Sequence, residues 1–262
     1  MKEYKLKNGG YALRYHDLPG EEPALVMLHG LGCASSFEYP AVVSQPSLRG
    51  RRAILIDLLG AGYSDKPRNF GYTVEDHAFY LNEMLTALNL NKIILFGHSL
   101  GGAVAIALAI LLGDRLRQLI LTESNLDPSP PGVTSRKIAS YTQQDFLDSG
   151  YESILMRARK HNPLWAATLS HWLPEAAWRI SRSAVRGGTP DWRQSLYSLQ
   201  KPRSFFIGAQ SLPDASDPAL TEHGIRVETI PLAGHSMALD NPAALAERIA
   251  AVIADTTEER NA

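Results

Sequence analysis

Residues 93–109 read IILFGHSLGGAVAIALA, and few segments leave a fold so little choice. Four apolar residues lead into Gly97-His98-Ser99-Leu100-Gly101, and an alanine-rich apolar run follows. A short unbroken apolar run ending at glycine reads as a strand covered on both faces, and the longer run after it as a buried helix. A strand that turns directly into a helix crowds the turning residue. Gly97 and Gly101 relieve that crowding on either side of Ser99. The serine hydroxyl would then stand above the sheet edge, beside the N–H groups of a helix N-terminus, where negative charge is favoured. The simpler reading of the same residues is a helix start with Ser99 as its N-cap.

The same alternation runs through most of the chain. Apolar runs at 24–28, 53–57, 92–96, 118–122, 203–207 and 226–230 are expected strands. Residues 4–6 and 11–15, joined through Asn8-Gly9-Gly10, are expected to form an antiparallel hairpin. Helices are expected at 37–43, 74–89, 100–112 and 242–254. Thr73 can cap the second, with Asp76 three residues on; Asn241 can cap the last, with Pro242 at its first position. This β-α-β rhythm implies the α/β class: a doubly wound, mostly parallel, eight-stranded sheet.

Between 124 and 198 the rhythm stops. All four tryptophans, Trp165, Trp172, Trp178 and Trp192, fall here. Trp165, Leu169 and Trp172 would share one helical face, and Pro174 can open another helix carrying Ala177 and Ile180. The expected organisation is a core of 1–123 and 199–262 with a helical cap, or lid, inserted at 124–198. The tail 255–262 is charged and is expected to fray.

Composition narrows the function. With 262 residues the chain can still be one α/β domain. A hydrophobic content of 45% excludes disordered and fibrous classes. The net charge is −1 and no lysine–arginine cluster stands out, which argues against nucleic acid. The apolar stretch 103–112 is too short to span a bilayer, and MKEYKLKNGG offers no signal-peptide core. The single cysteine, Cys33, can form no internal disulfide and suits a reducing compartment. A cytoplasmic protein with neither membrane nor nucleic-acid partner is expected. Eight scattered histidines show no ligand spacing, so neither metal nor cofactor is expected.

Three more segments converge on Ser99. The run LVMLHGLG ends an expected strand with His29-Gly30-Leu31-Gly32, similar to loops that donate an oxyanion-hole N–H. IDLLGAGYSDKP follows the next strand, and PLAGHSMALDNP sets His235 just after the last one. Together HGLG, DLLGAGYSDKP, GHSLGG and AGHS resemble the α/β-hydrolase fold superfamily, in the esterase- and lipase-like group with a helical cap inserted after the sixth strand. The resemblance runs from residue 10 to residue 254. It implies Ser99 as nucleophile, His235 as base, and the N–H groups of Leu31 and Leu100 as the oxyanion hole. The chemistry needs each part. A serine hydroxyl must lose its proton as it attacks, imidazole can take and return that proton, and the intermediate's oxyanion needs preorganised donors.

The acid departs from the family's pattern. It is expected after the strand that follows the cap, yet FFIGAQSLPD places Ser211 at that position. Asp214, three residues on, could substitute. So could Glu123, at the end of the earlier strand in LILTESN, as certain haloalkane dehalogenases look similar in doing. Glu123 is favoured, because a strand end is a stiffer platform than a proline-containing loop. Asp57 reads as a structural acceptor for loop N–H groups, Asp217 as a helix N-cap, Cys33 as a small buried filler and His98 as a packing residue. Trp165 and Trp172 are candidate substrate contacts in an apolar roof, although rings at such spacing more often form core between helices. The expected function is cofactor-independent hydrolysis of an ester or related acyl bond in a small, largely apolar molecule. A lyase or cofactor-free peroxidase of the same fold, or a binding protein that kept the pocket, are the alternatives.

Overall fold

The computed structural model describes residues 1–261, with side chains through Thr256. The first half of the chain runs β1 (Lys2–Lys5), β2 (Ala12–Leu18), β3 (Glu21–Leu28), α1 (Ser35–Glu38), α2 (Pro40–Val43), β4 (Arg51–Asp57), α3 (Val74–Ala87), β5 (Ile93–His98), α4 (Leu100–Leu112) and β6 (Leu116–Thr122). Six helices follow: α5 (Thr134–Ala139), α6 (Gln143–Asp145), α7 (Tyr151–His161), α8 (Pro163–Leu169), α9 (Pro174–Arg186) and α10 (Trp192–Ser198). The sheet resumes with β7 (Arg203–Gly208), α11 (Pro218–Glu222), β8 (Arg226–Ile230), α12 (Met237–Asp240) and α13 (Pro242–Asn261). The eight strands form one sheet in the order β1-β2-β4-β3-β5-β6-β7-β8. Only the β1–β2 and β2–β4 pairs are antiparallel.

The unbroken apolar runs have the expected cause. In β3, Ala24, Val26 and Leu28 pack into one core, while Leu25 and Met27 pack into the other. The first core lies under α3 and α4, the second under α2 and α13. A central strand covered twice cannot afford the polar alternation of a half-exposed one. Among the described residues no helix is long and apolar enough to cross a membrane.

Several element boundaries differ from expectation, each for a local reason. The helix expected at 37–43 is two short helices, because Pro40 lacks an N–H and opens α2 instead. α3 ends before Asn89, whose φ of 54° is left-handed. β5 runs two residues past 96 and so carries Gly97 and His98 up to the elbow. Trp172 does not share a helical face with Trp165 and Leu169, since α8 stops at Leu169. Pro174 holds Leu173 extended and begins α9 as a separate helix. Asp217 occupies the N-cap position of α11, yet its carboxylate binds Arg193 at 2.7 Å and caps nothing. The last helix continues well past 254, with Asp255 paired to Arg226; of the tail 255–262, Ala262 and the side chains from 257 lie outside the described residues.

The helices between β6 and β7 sit on loops that leave the carboxyl edge of the sheet. Trp165 Nε1 donates to Leu31 O at 2.8 Å, Trp172 Nε1 to Cys33 O at 2.7 Å, and Leu173 N to Gly60 O at 2.8 Å. Within the segment, Trp178 Nε1 donates to Tyr141 O at 3.0 Å.

At the base of α3, Thr73 Oγ1 accepts from Asp76 N at 3.0 Å, and Asp76 Oδ2 accepts from Thr73 N at 3.1 Å. This capping box satisfies two N–H groups that the helix cannot. Thr73→Ala is expected to lower stability by about 1 kcal/mol in urea denaturation, and Thr73→Ser to keep most of it. Equal losses in both variants would show that the hydroxyl is not the stabilising group.

Candidate active site

β5 delivers Ser99 to the turn, and α4 begins one residue later. Ser99 has φ 51° and ψ −123°, a region that residues with a side chain avoid. The surrounding packing holds it there. A Cβ on Gly97 would lie 2.7 Å from Ala105 Cβ and 2.8 Å from Gly101 O, and one on Gly101 would strike the carbonyl oxygen of His29. Ser99 N donates to Thr122 O at 3.0 Å, while its own carbonyl accepts from Gly102 N at 2.9 Å and Asn125 N at 3.1 Å. The hydroxyl, by contrast, makes no capping bond to α4. Ser99 therefore sits at the N-cap position of α4 without capping it through its side chain.

The carboxylate comes from the neighbouring strand. Glu123 follows β6 with φ 39°, its side chain 8% exposed. Its Oε1 accepts from Gly208 N at 2.9 Å, and its Oε2 lies 2.8 Å from His235 Nδ1. Against a carboxylate that nitrogen carries the proton, so Nε2 is left as the acceptor. Burial pushes the Glu123 carboxyl up, but bonds from His235, Ser211 and Gly208 N outweigh it and leave it below its ordinary value. The group binds its proton more weakly folded than unfolded. The pairing therefore stabilises the fold above the usual carboxylate range and is lost as pH falls through the depressed value. Asp214, the other candidate acid, is exposed, and the His235 ring is held by Glu123 instead. Ser211, at the position where an aspartate was expected, is a neutral hydroxyl near enough to help hold the Glu123 carboxyl below its ordinary value.

His98 bridges the two halves of the site. Its ring centroid lies 4.8 Å from that of His235, and its Nδ1 is 3.1 Å from Thr122 Oγ1. Burial, with the neighbouring His235 adding to it, pushes the His98 imidazole down to about 3, so it stays neutral. Of Ser99, Glu123 and His235, the described residues show one bond, between Glu123 and His235; the Ser99 hydroxyl makes no capping bond to α4. Such contacts commonly tighten only when substrate binds.

The 29–33 loop lies against the elbow: a Cβ on Gly30 would sit 3.1 Å from Ser99 Cβ. His29 Nε2 accepts from Leu58 N at 3.0 Å, so its proton is on Nδ1, 2.9 Å from Gly30 O. Gly30 O also accepts from Cys33 N at 3.2 Å. A trans peptide points its C=O and N–H in opposite directions, so pinning Gly30 O aims Leu31 N–H away from these groups. Leu100 N is the first amide of α4 and has no intrahelical acceptor. Asp57 is the loop acceptor expected of it, taking bonds from Ser36 N (2.9 Å), Ser36 Oγ (2.7 Å) and Tyr63 N (3.0 Å). Cys33 is buried, as expected of a filler.

The two tryptophans singled out as substrate contacts spend their N–H groups on this loop. Trp165 and Trp172 hold the carbonyls on either side of Gly32, whose φ of 76° leaves room where a Cβ would strike the Trp165 indole. Trp172 also meets His29 edge-on, with centroids 5.8 Å apart. Indole donors show no pattern in sequence, and hydrophobic spacing alone could not have found this role. Trp165→Phe keeps a ring and deletes the donor. Amide exchange across residues 31–33 is expected to quicken about fivefold, equivalent to one hydrogen bond of about 1 kcal/mol. Unchanged exchange would show that the bond does not restrain the loop.

Comparison with known proteins agrees with this fold. A family model described as alpha/beta hydrolase fold matches residues 23–199. A 2-hydroxy-6-oxo-2,4-heptadienoate hydrolase of Pseudomonas putida is 30% identical over 232 residues, covering 86% of this chain and 79% of its own. A thermophilic esterase from Thermogutta terrifontis superposes with a TM-score of 0.78 at 23% identity, over 98% of this chain and 99% of that one. An esterase from Exiguobacterium antarcticum gives 0.77 at 20% identity, over 95% and 97%. The chain belongs to the α/β-hydrolase fold family.

Proposed function

We propose that this chain is a serine hydrolase that cleaves an ester or related acyl bond of a small, largely apolar molecule. Ser99 attacks the carbonyl carbon while His235 Nε2 takes its proton. Glu123 stays ionised, holds the ring in its tautomer and stabilises the imidazolium. The N–H groups of Leu31 and Leu100 receive the oxyanion, each contributing about 3 kcal/mol. His235 returns the proton to the leaving group, and water then releases the acyl group from Ser99. The segment 124–198 acts as the lid, with the faces of Trp165 and Trp172 as its apolar roof. The observation that carries the reading is the 2.8 Å contact between Glu123 Oε2 and His235 Nδ1.

A second reading has its own support. The Pseudomonas putida relative is named for an oxo-dienoate rather than an ester, and it matches most of both chains. The same serine, histidine and oxyanion donors would serve at a ketone carbonyl, so the family leaves the bond type open.

A fluorophosphonate is expected to label Ser99 in the wild type and to leave Ser99→Ala unlabelled. Turnover of p-nitrophenyl butyrate and of 2-hydroxy-6-oxo-2,4-heptadienoate then separates the two substrate readings. A folded wild type that resists the probe would contradict the serine-hydrolase reading and favour a binding protein. For the acid, Glu123→Gln is expected to cost about 100-fold or more in kcat. Asp214→Asn is expected to stay within about twofold, as surface changes do. The reverse order, with both variants folded, would overturn the assignment of Glu123.

A further inference from the structure

The last residue of α1, Glu38, takes no part in the mechanism above. It is 5% exposed, and its Oε2 is buried without a hydrogen-bond partner. A lone buried carboxyl oxygen is costly enough to need a water or a function to explain it. Glu38 also lines a cavity of about 10 Å³, room for no more than one water. The wall includes Tyr39, His98, Thr122, Ser236 and Met237. Ser236 follows His235 in the chain, and His98 packs against the His235 ring, so this cavity backs onto the loop that carries the base.

We propose that Glu38 is a positioning residue, a second carboxyl behind the His235 loop that holds one water against Ser236 and supplies negative potential to the imidazolium formed when Ser99 gives up its proton. The proposal rests on the serine-hydrolase reading. Its substance is electrostatic. A charge on Glu38 and a charge on His235 attract, so each eases the ionisation of the other.

The groups around Glu38 leave it as the one poised to change charge. Burial pushes its carboxyl up, the Cys33 thiol and His235 pull it down, Asp57 adds to the rise, and the outcome is about 7. The Cys33 thiol is itself pushed well up by burial and by Glu38, so it stays protonated and donates. The Tyr39 hydroxyl is likewise pushed up, and it donates to Leu28 O at 3.1 Å. His98 is neutral, and Thr122 and Ser236 do not titrate in this range.

The test compares pH profiles of kcat/KM, and of fluorophosphonate labelling rate, for wild type and Glu38→Gln. Glutamine has nearly the same shape, and thermal melts check that it folds. The variant's acidic limb is expected to move down by about 0.5 pH unit, with kcat about fivefold lower and KM unchanged. An unmoved limb in a folded, active variant would overturn the role of Glu38 and leave the Ser99–His235–Glu123 reading intact. Absence of any Ser99-dependent reaction in the wild type would instead sink that reading, and this inference with it. If Glu38→Gln fails to fold, infrared titration of the wild type decides. A buried carboxylic C=O band that vanishes near neutrality is expected, and its absence overturns the proposal.

Discussion

Ser99 holds its strained backbone because glycines on either side let the surrounding backbone close in around it. The residue sits at φ 51° where β5 meets α4, and Gly97 and Gly101 lie so near other backbone that neither could carry a side chain. That approach brings the His29 carbonyl against the start of α4, and the loop holding Leu31 follows from it. The amide of Ser99 is tied to Thr122 O, so the elbow is locked to β6 as well. Residue 123 leaves that strand at the same height. Ser99, Leu100 and Glu123 are thus placed by a single crowded junction rather than by three independent loops. Strain of this kind, about 1–3 kcal/mol per residue, persists only where the surroundings over-determine it.

Glu123 shows how a carboxylate from one strand can serve a ring that follows another. Glu123 reaches His235 from β6, with one carboxylate oxygen on Gly208 N and the other on the ring. The β7 end supplies that amide and the Ser211 hydroxyl in place of an acid of its own. A longer side chain from a neighbouring strand covers the distance that an aspartate would have covered from the adjacent one. Glu123, like Ser99, holds a positive φ, of 39°.

Much of this was legible in the residues. Continuous apolar runs told of strands covered twice, and the eight-stranded sheet follows them. The gap at Ser211 was enough to direct attention to Glu123, because a missing charge must be replaced from somewhere within reach of the imidazole. Other features carried no signal. Pro40 splits a helix that apolar spacing alone would join, and Pro174 separates Trp172 from the face it was expected to share with Trp165. Both effects come from single residues that override a periodic pattern. The indole bonds to Leu31 O and Cys33 O join residues 134 and 139 apart, and the buried carboxyl of Glu38 answers to Cys33, His235 and Asp57; no local pattern records them.

A crystal structure of the protein with an alkyl boronic acid bound tests the central geometry most directly. A tetrahedral adduct on Ser99 Oγ is predicted, with one boronate oxygen about 2.7–3.1 Å from both Leu31 N and Leu100 N. His235 Nε2 should contact a second oxygen while Glu123 keeps its hold on Nδ1. An adduct whose oxygens turn away from both amides, or a His235 ring that leaves Glu123 for another carboxylate, would contradict the account.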